Sequence, residues 1–122
     1  MADPAAHVHH TIDYIELTVT DMAAARRFYA AAFGWAFTDY GPGYAGIRVG
    51  DREVGGLRLD DAVRAGGPLV ILYSDELETT LAGVAAAGGA VVKPIFSFPG
   101  GRRFHFTDPA GNELAAWSAR GA

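Results

Sequence analysis

The stretch IDYIELTVTDMAAARRFYAAAFG, residues 12–34, reads as a strand followed by a helix, and LVILYSDELETTLAGVAAAGG, residues 69–89, reads the same way. In the first, Ile12 to Val19 alternates as a half-buried strand does. Thr20-Asp21 then offers a helix N-cap, an Ala-rich run continues to Phe33, and Gly34 stops it. In the second, Leu69 to Tyr73 is an apolar strand, Ser74-Asp75 introduces a helical stretch from Glu76 to about Ala87, and Gly88-Gly89 closes it. An offset of 55 places Asp21 on Glu76, Met22 on Leu77, Tyr29 on Val84 and Gly34 on Gly89. An offset of 54 pairs Asp21 with Asp75 but fits the apolar stripe less well. Self-similarity at a fixed period points to a duplicated structural unit.

Working outward, each helix is followed by three strand signals. These are Trp35 to Thr38, Tyr44 to Val49 and Val54 to Leu59 in the first copy, with Gly50-Asp51 as a turn. In the second they are Ala90 to Lys93, Arg102 to Thr107 and Glu113 to Ser118, with Asp108-Pro109-Ala110-Gly111-Asn112 as a turn. Each copy therefore reads βαβββ, with Asp60 to Pro68 as the connector. A ferredoxin-like α+β domain shares the alternation but does not account for three strands after each helix. In the first helix Met22, Ala25, Phe28, Tyr29, Ala32 and Phe33 follow helical spacing, so this stripe is expected to pack on a sheet.

The 122 residues suit a single domain, half of them hydrophobic and 20% charged, which favours a packed core over disorder. No apolar stretch approaches the roughly 20 residues of a membrane-crossing helix, and the chain begins without an export-type segment. A cytoplasmic, non-membrane protein is expected. There is no cysteine, hence no disulfide, thiolate metal site or cysteine nucleophile. A formal charge of −4, with Arg26-Arg27 and Arg102-Arg103 as isolated basic pairs, argues against nucleic acid. Residues 1–11, including His7-Val8-His9-His10, are read as a flexible, solvated N-terminal tail. Residues 12–120 form the domain, with modules of about 12–59 and 69–118.

The segments Ile12-Asp13-Tyr14-Ile15-Glu16-Leu17 through Asp21, Arg27-Phe28-Tyr29 to Phe33-Gly34-Trp35, and Phe104-His105-Phe106-Thr107-Asp108-Pro109-Ala110-Gly111-Asn112 together resemble the vicinal-oxygen-chelate superfamily, of the glyoxalase, bleomycin-resistance and extradiol-dioxygenase type. The resemblance covers nearly the whole chain. It implies an α+β fold of two βαβββ modules forming an open, cup-shaped mixed sheet, usually in a homodimer. It also implies a divalent metal on His, Gln or Glu side chains that acts as a Lewis acid on neighbouring substrate oxygens. The positions matching those ligands are here Tyr14, Leu69, Ala115, and Gly55 or Gly56. Leu, Ala and Gly offer no side-chain donor and a neutral phenol is a poor ligand, so no metal and no other cofactor is expected.

Strand alternation then assigns the lining. With Ile15, Leu17 and Val19 toward the helix, Tyr14, Glu16 and Thr18 face the cup, joined by Leu69, Ile71 and Tyr73. Phe104 and Phe106 take one face of their strand and Arg103, His105 and Thr107 the other; Leu114 and Ala116 oppose Glu113, Ala115 and Trp117. Tyr14, Glu16, Tyr73, Arg103, His105, Glu113 and Trp117 are thus the candidate ligand-binding residues, suited to a small organic molecule with a planar part. The competing reading makes Glu16 and Arg103 a structural ion pair and turns Glu113 to solvent; Arg58, on the parity of Gly56, reaches the rim. The expected function is metal-free small-molecule binding, of a drug- or metabolite-binding kind. The alternative is a glyoxalase-like lyase or isomerase, or a dioxygenase-like enzyme, with an atypical site. In that case His105 or Glu16 is the general base, or Glu16, His105 and Glu113 form an irregular metal site. A fold kept only for dimerisation fits less well with so polar a lining.

Overall fold

A computed structural model describes residues 7–120 of the chain. The elements run β1 (Ile12–Val19), α1 (Met22–Phe33), β2 (Ala36–Asp39), β3 (Tyr44–Val49), β4 (Arg52–Leu59), β5 (Leu69–Tyr73), α2 (Leu77–Ala86), β6 (Ala90–Phe98), β7 (Gly101–Thr107) and β8 (Glu113–Ser118). The fold is α+β and βαβββ occurs twice, as expected. The offset of 55 also holds at the start of both helices, since Asp21 and Glu76 are the N-caps and Met22 and Leu77 the first helical residues. Among the described residues no helix is long and apolar enough to cross a membrane. Two compact units emerge: Tyr14–Pro68, and the residues through Asp13 together with those from Leu69 onward.

In the Tyr14–Pro68 unit the strand order is β2-β3-β4-β1. The pairs β2–β3 and β3–β4 are antiparallel and β4–β1 is parallel, with Ile15 opposite Gly55 and Glu16 opposite Gly56. A bulge shifts the β3–β4 register between Ile47 and Arg48, so that Ile47 faces Gly55 but Arg48 faces Glu53. The extra residue, Val54, re-phases the side-chain alternation of β4 and turns Glu53 to the Tyr14 side. Helix α1 starts where Asp21 Oδ1 accepts the Ala24 N–H at 3.0 Å, and ends at Gly34, whose φ of 73° suits a residue without Cβ.

The expectation that the α1 stripe packs on the sheet holds for Met22, Ala25 and Tyr29, which are half-buried, and is corrected for Phe28 and Phe33. Tyr29 stacks on Trp35 at 4.5 Å, but Phe28 and Phe33 are 58% and 64% exposed and α1 buries no side chain. Beside it, Ile15, Leu17, Trp35, Ile47, Val49, Val54 and Gly55 line an open apolar recess of about 320 Å³. Helical spacing identified an apolar face but could not say whether anything covers it.

In the other unit the order is β5-β8-β7-β6, with β5–β8 parallel and the remaining pairs antiparallel. Here the helix does cover a core. Leu77, Phe104, Phe106 and Ala116 are buried together, ringed by Leu72, Leu81, Val84, Val91, Ile95 and Leu114. Strand β6 runs to Phe98, past the expected end at Lys93. Pro94 lacks an N–H, yet it is tolerated on this edge strand because the register shifts on both sides of Lys93.

The segment expected to be a mobile tail carries specific contacts over residues 7–11. The His10 N–H donates to Tyr73 O at 2.7 Å, the Tyr73 N–H to Thr11 O at 3.1 Å, and the Asp75 N–H to His9 Nδ1 at 2.8 Å. Backbone pairing on the edge of β5 supplies what the composition of the segment does not. Residues 1–6 of that expectation lie outside the described residues.

Candidate functional site

Polar side chains gather on one sheet face of each unit. In the Tyr14–Pro68 unit, Tyr14 donates from its hydroxyl to Glu53 Oε2 at 2.7 Å, and Tyr40 donates to the other oxygen of Glu53. The Tyr44 hydroxyl lies 3.0 Å from both the Tyr14 oxygen and Glu16 Oε1. Glu16 is 3% exposed and pairs through Oε2 with Arg58 Nε at 3.4 Å, and Arg58 reaches Asp60 at 3.1 Å. Burial and the Tyr44 contacts push the Tyr14 phenol far above its ordinary value; burial and the Glu53 bond take Tyr40 up to about 12. Glycines make room for this array. A Cβ on Gly46 would strike the Glu53 carboxylate and one on Gly56 the Tyr44 hydroxyl, at 2.4 and 2.1 Å.

Within its own unit Glu16 thus pairs with Arg58, the residue expected at the rim. Parallel pairing sets Thr18 opposite Arg58, within diagonal reach of Glu16, a register the sequence does not display. Tyr40, Tyr44 and Glu53 were not anticipated. Tyr44 shares the Glu16 parity and was within reach of the alternation argument; Glu53 needed the bulge.

In the second unit, register places the other candidates on one face: Tyr73 opposite Trp117, Trp117 opposite Arg103, and Ala115 opposite His105. His105, 3% exposed, donates from Nδ1 to Glu113 Oε2 at 2.9 Å, and its Nε2 is buried without a hydrogen-bond partner. Phe96 stacks on His105 at 5.9 Å, and the Arg103 guanidinium lies over Phe96 and Phe98 at 5.4 and 5.8 Å. These two phenylalanines were missed because β6 was expected to end before them. Tyr73 is fully buried, Trp117 is 7% exposed, and the Trp117 Nε1–H donates to Asp13 Oδ2 at 2.9 Å. Glu113 thus meets His105 rather than solvent alone. Glu16, in the other unit, is engaged by Tyr44 and Arg58.

Burial, reinforced by the charges of Arg103 and Lys93, holds His105 below the ordinary 6.5 against the opposing bond to Glu113. At neutral pH the ring is then uncharged, with a proton on Nδ1 and a lone pair on Nε2. The unfolded chain protonates this histidine near its ordinary value while the folded chain resists. The associated stability is accordingly present above about pH 6.5 and lost as pH falls below it. Thermal melts between about pH 7.5 and 5 are expected to show a smaller loss on acidification for His105→Gln than for the wild type. Parallel pH profiles would contradict the uncharged assignment.

The positions that the resemblance assigns to metal ligands do not fit one. Tyr14 holds its proton in bonds to its neighbours, and Leu69 and Ala115 have no donor. A side chain at Gly55 would meet the Ile15 carbonyl oxygen at 2.4 Å, and one at Gly56 would meet Tyr44. Among the described residues, no group of three or more His, Asp or Glu side chains is placed to hold a cation.

Residues 11–116 match the family model described as Glyoxalase/Bleomycin resistance protein/Dioxygenase superfamily. Among curated proteins the chain is 28% identical over 119 residues to "Putative glyoxylase CFP32" of Mycobacterium bovis and of Mycobacterium tuberculosis, covering 89% of this chain. It covers 46% of those proteins, so it spans about half the length of the curated relatives it matches. The Mn(II)-bound glyoxalase of Novosphingobium aromaticivorans superimposes with a TM-score of 0.70 at 26% identity, over 93% of this chain and 40% of that one. Methylmalonyl-CoA epimerase of Mycobacterium tuberculosis gives 0.69 at 15% identity, over 93% and 94%, which is a likeness of fold alone.

Proposed function

The chain belongs to the Glyoxalase/Bleomycin resistance protein/Dioxygenase superfamily, and from that premise we propose that it binds a small, partly planar organic molecule without the divalent metal used by catalytic members. The observation that carries the reading is the face of the second unit. Tyr73, Trp117, Phe96 and Phe98 supply ring surface there, while Arg103 and the His105–Glu113 pair supply polar groups. Aromatic walls bury the flat part of a ligand, and a few fixed polar groups orient it. The donor-poor ligand positions support the metal-free half of the reading. Tyr14 and Glu16, in the other unit, form a polar surface of their own, both bonded to the Tyr44 hydroxyl.

One experiment tests both halves. A thermal-shift screen of small aromatic compounds with a chelator present is expected to yield ligands whose affinity falls about tenfold or more in His105→Ala and in Trp117→Ala. Ligands that vanish with the chelator would overturn the metal-free reading, and ligands indifferent to both substitutions would overturn the site.

A second reading is favoured by His105 itself. An uncharged imidazole, oriented by a carboxylate at Nδ1 and presenting a bare, buried Nε2, is built like a general base. A lyase or isomerase that removes a proton from carbon would use it so. Self-association, a cytoplasmic location and the absence of nucleic-acid partners complete the proposal. The exposed Phe28, Phe33 and Val49 are the surface that a second copy would cover.

A further inference from the structure

His7 places a flat nitrogen ring against the same face. Its imidazole stacks on Tyr73 at 4.5 Å with an interplanar angle of 14°, and Trp117 meets it edge-on at 5.1 Å. Nδ1 donates to Asp13 Oδ1 at 2.7 Å, and the other Asp13 oxygen is fixed by the Trp117 indole N–H at 2.9 Å. The ring therefore sits in a compartment with a phenol floor, an indole wall and a carboxylate acceptor.

The compartment is held together without His7. The Tyr73 hydroxyl is fixed by the Ala119 N–H at 3.2 Å, its backbone is paired with His10 and Thr11, and Trp117 is carried in register on β8. His7 is in turn an imperfect filling. Its Nε2 is buried with no hydrogen-bond partner among the described residues, a desolvation that a better-matched ring would avoid. Backbone pairing ties His10 and Thr11 to Tyr73, but His7 lies three residues before that pairing on an exposed stretch, so its ring can swing out while the pairing stays. Withdrawing the ring uncovers the Tyr73 face, the Trp117 edge and the Asp13 carboxylate, the surfaces that a replacement ring would cover again.

We propose that the compartment occupied by His7 is a ligand subsite for a planar azole, a flat nitrogen heteroaromatic ring bearing an N–H, and that His7 is its displaceable internal occupant. The inference rests on the reading of this face as a binding site and names the ring chemistry that it takes. Stacking on Tyr73 requires flatness, Asp13 requires a donor at the ring edge, and a protonated ring gains a charge-assisted bond there. The register running from Trp117 to Ala115 leads from this subsite to His105 and Glu113, where the remainder of the molecule lies. An occupied site binds more weakly by the fraction of time it is open, so His7 sets the apparent affinity.

Benzimidazole is the probe, titrated calorimetrically into the whole chain. His7→Ala is expected to bind it about tenfold tighter than the wild type, and Asp13→Asn in the His7→Ala background to lose most of that gain. In the wild type, saturating benzimidazole is expected to move the His7 ring proton resonances to those of a solvated imidazole, a readout that needs no variant to fold. Equal affinity in wild type and His7→Ala, indifference to Asp13→Asn, binding that leaves the His7 signals unmoved, or no binding at all would each overturn the proposal. Failure of benzimidazole while screened ligands still depend on His105 and Trp117 removes this inference alone. Ligands indifferent to those two residues remove the binding face itself.

Discussion

Phe104→Ala is expected to destabilise the protein by about 3–5 kcal/mol, read from chemical denaturation of variant and wild type side by side. Phe104 has no exposed surface and meets Leu77, Phe106 and Ala116 beneath α2, on the face of β7 opposite His105. Truncation removes the transfer free energy of a whole ring and leaves a hole that the neighbouring strands, tied by β6–β7 and β7–β8 pairing, cannot close. The contrast with Phe28, on α1 and 58% exposed, is the internal control. Phe28→Ala should stay within about 0.5 kcal/mol. Equal losses at the two sites would mean that the helices are packed alike, against what the exposures show.

Gly55→Ala is expected to cost about 3 kcal/mol, measured the same way. The added Cβ would lie 2.4 Å from the Ile15 carbonyl oxygen and 3.3 Å from Ile47 Cδ1. The nearer neighbour is backbone, so no rotamer relieves the clash and the β1–β4 ladder must part where Ile15 faces Gly55. Tyr14 and Glu16 flank that point, and their bonds to Glu53, Tyr44 and Arg58 loosen with it. Because Gly55 is also one of the positions at which relatives are expected to carry a ligand side chain, the same clash argues that this backbone is not a metal site awaiting one substitution. A variant as stable as the wild type would remove both conclusions.

Much of the fold could be read from the chain because its punctuation is chemical. Asp21 as a cap, Gly34 at positive φ and the Gly50-Asp51 turn are each dictated by local backbone needs, and each lies where expected. The alternation argument likewise put Phe104, Phe106, Leu114 and Ala116 on the helix side, with Arg103, His105, Ala115 and Trp117 opposite. What escaped was non-local. Whether Phe28 and Phe33 are covered depends on what lies above them. The pairing of Glu16 with Arg58 depends on a parallel register, the approach of Glu53 on a bulge, and the reach of Phe96 on an edge strand that tolerates Pro94. His7 was hidden for a related reason: a short polar run reads as tail unless the edge of β5 that receives it is known.

The shallow burial of α1 carries a consequence for motion. A helix whose side chains are at most half-buried, with Tyr29 on Trp35 and Arg26 over Phe37, lifts away at less cost than parting the ladder of β1, β3 and β4. Its amide protons should then trade with deuterium through a small local opening, well before those of β7 and β8, which require global unfolding. The twofold repeat of the sequence thus yields two halves of unequal firmness, one a keel and the other a hatch.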